Sequence, residues 1–191
     1  MTIETLMGVI PPPREPGFIF TGPWEPIEEE LGTALPPDYK DLARIYGAGY
    51  YMEFFHVKMP RTPNPYACLE TEVREICATC FDRAELAYPL WPDRGGLVPF
   101  GATDNGDFLF WLPRGAPEDW GIVVWDRGLQ KFEVFDCDIT SFIAGLATGE
   151  IIPKEFPEDL VTCDHLFQPH TADDLRWPPI PRSTLPGAAT R

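Results

Sequence analysis

No run in this 191-residue chain approaches the roughly 20 apolar residues that span a bilayer, so a membrane helix is excluded. The opening residues, MTIETLMGVIPPP, lack a basic n-region and break their short apolar run with prolines, unlike a secretory signal. Basic side chains are scarce: fifteen Lys and Arg stand against thirty Asp and Glu, a net charge of −15. Such a chain repels nucleic acid phosphates and favours basic protein partners. Catalytic signatures are missing as well, with no G-x-S-x-G, Walker loop, G-x-G-x-x-G or H-E-x-x-H. The three histidines are too scattered for an acid–base scheme. Five cysteines, an odd number without an export signal, point to free thiols in a reducing cytosol. The expectation is a cytoplasmic protein that is not an enzyme and has no cofactor.

What is present is apolar and aromatic material enough for one sizeable core: thirteen Phe, six Trp and six Tyr. Residues 8–26 hold six prolines, which permit extended segments and turns, so 1–23 is read as a proline-rich arm. A single domain is expected over 24–165, with a proline-rich tail at 166–191. Within the domain, Glu28, Glu29 and Glu30 suit the first turn of a short helix that Gly32 ends. Tyr39, Leu42, Ala43 and Tyr46 fall at i, i+3, i+4 and i+7, one face of a helix stopped by Gly47. The aromatic run YYMEFFHV reads as a strand, with His56 at its end, facing solvent or a strand edge. Val73, Ile76, Cys77, Cys80, Ala84 and Ala87 predict a long helix over about 67–88, closed by Pro89 and Pro92.

The pattern then changes to short strands at Leu97–Phe100, Asp107–Leu112, Gly121–Trp125 and Lys131–Phe135, separated by turn residues. Asp138 is a fitting N-cap for a helix carrying Ile139, Phe142, Ile143 and Leu146 and ended by Gly149. The fold class is therefore α+β, an antiparallel or mixed curved sheet flanked by helices, with Phe108, Phe110, Val123, Trp125 and Val134 or their neighbours turned inward.

Three stretches bear on chemistry. In FGATDNGDFLFW, a calcium loop counted from Asp104 places Gly106 and Phe108 where oxygen ligands belong, so the EF-hand spacing fails. Asp104 and Asp107 would serve a hydrolase only if both pointed into one cleft. Asn105-Gly106 between two strand-like runs is instead the mark of a hairpin. The C-x-x-C of Cys77 and Cys80 has metal spacing, but lies on the apolar stripe of a helix, with partners no nearer than Cys163, His165 and His170. Two core cysteines and no metal are expected. Finally, eight acids between Ala102 and Asp138 interleave with Trp111, Trp120 and Trp125. Either they form a patch that steers and anchors a basic protein, or they are a solvated sheet face with its tryptophans in the core. On the first reading Glu118, Asp119 and Trp120, in a proline-bounded loop, are the candidate partner-binding residues, with Asp104 and Asp107 beside them.

The order of short signatures resembles the SUKH superfamily, the Smi/Knr-type proteins. They are Leu31-Gly32, Leu35-Pro36, Tyr46-Gly47, Pro99-Phe100-Gly101, Gly106-Asp107, Trp125-Asp126 and Phe142, within about residues 24–152. The resemblance implies an α+β fold and, most often, a bacterial immunity protein that binds and neutralises a polymorphic toxin, frequently a nuclease. Other relatives are intracellular regulators or scaffolds. It implies no catalytic residues, and it says nothing of the arm or the tail.

Overall fold

The computed structural model describes residues 3–82, 86–154 and 156–177. Helices α1 (Ile3–Val9), α2 (Glu25–Leu31), α3 (Pro37–Ile45), α4 (Leu69–Thr79) and α5 (Ile139–Thr148) surround one sheet. Its strands are β1 (Gly49–Tyr51), β2 (Phe55–Val57), β3 (Val98–Thr103), β4 (Phe108–Leu112), β5 (Gly121–Asp126), β6 (Lys131–Phe135) and β7 (Phe167–Pro169). They lie in the order β6-β5-β4-β3-β2-β1-β7, and every pairing is antiparallel. The fold is thus the expected α+β arrangement.

The helix signals act where the sequence places them. Gly32 ends α2 in the left-handed region at φ 65°, and Gly149 ends α5 at φ 76°. The Asp138 carboxylate accepts the Ser141 N–H at 2.7 Å and caps α5. Asp38 on α3 also accepts from Ile139 and Thr140 N–H at 2.9 and 3.3 Å, so one carboxylate locks the two helices together.

Apolar residues occupy nearly every position of β4, so strand alternation alone does not say which face carries the main core. The larger cluster takes Leu109, Trp111, Ile122 and Val124, packed with Leu6, Tyr39, Tyr46 and Phe142. Phe110 and Val123 face a second, smaller cluster with Ile76 and Cys77, while Phe108 and Trp125 pack on its margin. The inward set named from the sequence is therefore the lesser face, and Val134 is exposed at 38%. Helix α4 joins the two, with Leu69 and Val73 in the first cluster and Ile76 and Cys77 in the second.

Two local expectations are corrected. The helix expected over 67–88 ends at Thr79, and Cys80 is its exposed cap residue. Phe81 leaves the helical path to pack edge-on against Trp125 at 4.8 Å, a contact that overrides the periodicity. Ala84 lies outside the described residues. YYMEFFHV is two strands, not one, because Met52 and Glu53 take φ of 50° and 51° and turn the chain without a glycine.

The expected arm and the start of the expected tail also pack on the domain, while residues 178–191 of that tail lie outside the described residues. Leu6 and Ile10 are buried, and the Tyr46 hydroxyl donates to Ile10 O at 2.6 Å. Gly47, at φ 68°, lets Phe18 O approach to 2.0 Å of where a Cβ would stand. Ala48 N–H then donates to Phe18 O, and His170 N–H to Ala48 O, at 2.7 and 2.9 Å. The segment around 17–20 and β7 are in this way both stitched to the start of β1. Leu6→Ala should lower stability by about 2–5 kcal/mol, as for other fully buried leucines. Denaturant unfolding would show this as an earlier midpoint; an unchanged midpoint would mean that α1 is a loose appendage.

Candidate functional site

Asp107 is buried at 3% exposure just beyond the Asn105-Gly106 turn. The Thr103 hydroxyl donates to its Oδ2 at 2.8 Å, and Arg127 N–H donates to Oδ1 at 3.1 Å. One carboxylate thus closes the β3–β4 hairpin and ties it to the β5–β6 hairpin. Gly106 takes φ 87°, as the turn requires. Asp104 is exposed at the tip, its N–H donating to Phe54 O at 2.9 Å. With one carboxylate spent inside and the other outside, the pair does not form a hydrolytic centre.

The remaining expected partner-binding residues are also divided. Glu118 and Asp119 are exposed in a 3-10 turn, Pro117–Asp119, between β4 and β5. That turn and the Asp104 tip lie at opposite ends of β4, about 17 Å of strand apart. Trp120 is buried at 5% exposure, tilted against Trp111 at 6.3 Å, so it is a core residue and not an anchor. Strand alternation from Ile122 and Val124 carries back to Trp120 and turns it into the main core. Asp107 is likewise structural. Of the five, Asp104, Glu118 and Asp119 stay available to a partner, and they do not form one patch.

The cysteines separate too. Cys77 is buried as expected and Cys80 is exposed. Cys163 and His165 instead meet Glu53, the His165 Nδ1 lying 3.0 Å from its Oε1. Among the described residues no three His, Cys, Asp or Glu side chains are placed to hold a metal ion. No helix there is long and apolar enough to cross a membrane.

The structure brings together a group that the sequence did not single out. Tyr50 and His56 are cross-strand partners on β1 and β2, on the opposite face from buried Tyr51, Phe55 and Val57. Lys58 extends the same row, and the return of the chain after β7 sets His170 edge-on to Tyr50 at 5.0 Å. His56 is therefore not at a solvent-facing strand end; β2 lies between β1 and β3. These residues, with Tyr66 and Asp174, line a recess of about 260 Å³. His56 Nδ1 and both nitrogens of His170 are sealed from solvent and have no hydrogen-bond partner among the described residues. Desolvation first, then Lys58, pushes the His56 ring well below the usual histidine range, and desolvation lowers His170 against the opposing pull of Asp174. Lys58 Nζ is neutralised by Glu72 at 3.3 Å and donates to Tyr66 O at 2.6 Å. Tyr66 of this lining, exposed at 65%, meets Trp177, exposed at 47%, edge to face at 5.2 Å. The one signal in sequence was His56-x-Lys58, two polar residues on a single face of an otherwise apolar strand.

Two outcomes test these assignments. Asp107→Ala should cost about 1–3 kcal/mol in a denaturant titration, since it leaves the Arg127 N–H without its buried acceptor. Asp104→Ala should stay within about 0.5 kcal/mol; equal costs would refute the division. For pH, the folded-state pKa of His56 is depressed, so the unfolded chain takes up the proton first as pH falls below about 6.5. The His56 contribution to stability should be level above about pH 7 and decline as pH falls below about 6.5, so that the loss is less steep in His56→Asn. A slope unaltered by that substitution would show that His56 is not a buried neutral ring.

No curated protein and no solved structure matches the chain. The model of the SMI1 / KNR4 family (SUKH-1) matches residues 24–144, a span that holds the Leu-Gly, Tyr-Gly and Gly-Asp signatures and the Asp107 tie between hairpins. On that match and this antiparallel α+β sheet, the chain belongs to the SMI1/KNR4 (SUKH-1) family.

Proposed function

We propose that the protein is a cytoplasmic immunity protein that neutralises a basic toxin domain by binding it and performs no catalysis itself. Membership of the SUKH-1 family, joined to a net charge of −15, carries the reading. A toxin that acts on nucleic acid needs a cationic surface to hold phosphates, and an acidic protein competes for that surface and reaches it fast. Asp104, Glu118 and Asp119 are exposed at both ends of the sheet and add to a long-range field instead of defining one epitope. The separation of Asp104 from buried Asp107 counts against the hydrolase alternative.

Association kinetics at low and physiological salt with a toxin domain, sought among the products of genes adjacent to the one for this chain, test the proposal. The wild-type association rate should fall steeply with salt. Glu118→Lys with Asp119→Lys should slow association several-fold at low salt while altering dissociation little. Tight binding with a salt-independent rate that the double variant leaves unchanged would discard electrostatic capture of a basic partner.

A further inference from the structure

We propose that the recess between β1, β2 and the segment after β7 is a seat for an arginine side chain of a protein partner. This rests on the immunity reading only for the partner's identity.

Its size comes first. About 260 Å³ is below the roughly 300–1,000 Å³ of sites that hold whole small-molecule ligands, and suits one planar side-chain head. The unmet polar groups come next. His170 is only 9% exposed and has neither ring nitrogen paired among the described residues, and His56 Nδ1 is in the same condition. Orphaned buried polar atoms are costly, and these belong to two residues that line one cavity, where a small side-chain shift would bring them to a ligand. Neutral imidazoles each keep one acceptor nitrogen, and the Asp174 carboxylate stands at the rim, its Oδ2 accepting from Thr171 N–H at 2.7 Å.

Charge selects among ligands. Lys58 is the cation of the recess, and Glu72 on α4 cancels it. That leaves Asp174 beside His170, and Asp104 close enough to act on the Tyr50 hydroxyl. The residual field is negative within a molecule that is itself strongly acidic, so an anion is repelled. A guanidinium has five N–H donors in a plane and stacks on aromatic rings, which the Tyr50 wall and the exposed Tyr66–Trp177 pair supply. A lysine ammonium offers a point charge without that plane. An exposed aromatic pair beside a recess with acidic rim groups is also how interface anchors are received.

The experiment uses the full chain with ring signals of His56 and His170 followed by NMR. N-acetyl-arginine amide should shift both saturably, N-acetyl-lysine amide should do so at least several-fold more weakly, and inorganic phosphate should leave them in place. Asp174→Asn, which keeps an oxygen for Thr171, and Trp177→Ala should each weaken the arginine derivative about threefold or more. Both residues are exposed, and an unchanged unfolding midpoint would show the fold intact. Shifts with phosphate but not with the arginine derivative, or with neither, would overturn the proposal. So would a toxin complex whose affinity Asp174→Asn and Trp177→Ala leave untouched, and in that case the immunity reading stands. Arginine binding in a chain that does not bind the toxin supports the seat and removes the immunity reading.

Discussion

The Asp107 carboxylate is the constraint on which the sheet depends. It reaches back to Thr103 across its own hairpin and sideways to the Arg127 backbone of the next, while almost wholly buried. A buried carboxyl group is tolerated only when its oxygens are occupied, and here one is met within its own hairpin and the other by the neighbouring hairpin, which requires the two to be in register. The left-handed Gly106 brings the carboxylate into place, and Asp104 N–H pins the same tip to the β1–β2 turn. Three neighbouring connections are thereby fixed against one another. The Gly-Asp signature is a device of folding, and the acidity that made it look like a site is consumed inside the molecule.

A second set of ties governs the other edge. Tyr46 and Gly47 dock the N-terminal segment by a hydroxyl bond and a close backbone approach, and Ala48 passes that arrangement to β7 through His170. The recess exists because of this edge. Its walls come from 50–58, from Tyr66 and from 170–174, which meet only after β7 has joined β1. On this face the apolar filling of Phe110 and Val123 is confined to the second cluster, and the row from Tyr50 to Lys58 is left polar. The same face therefore serves as core at one side and as a lined cavity at the other.

Much of this was legible in the residues themselves. The caps at Asp138, Gly32 and Gly149, the Asn105-Gly106 turn and the strand series follow from local rules that tertiary structure did not overrule. Where packing chooses between equal local options, the sequence was silent. β4 is apolar at both parities, so its main face was undecided until Trp111 met Tyr39 and Phe100. The run of cysteines continued a helical stripe that Phe81 abandons for the sheet. Trp120 sits in a proline-bounded loop, yet the last loop residue before a strand takes the strand's direction. The recess was least visible, because its histidines are 114 positions apart in number and meet each other and Tyr50 only in the folded sheet.

Acidity, on this account, draws the partner from a distance, while recognition is concentrated at the edge that β7 completes. Backbone hydrogen–deuterium exchange of the free chain and of its toxin complex tests this most directly. The Arg127 amide should exchange slowly in both states, and binding should add protection at 64–66 and 170–177 while leaving 113–119 unchanged. Fast exchange at Arg127 in the free chain, or new protection concentrated on 113–119, would contradict it.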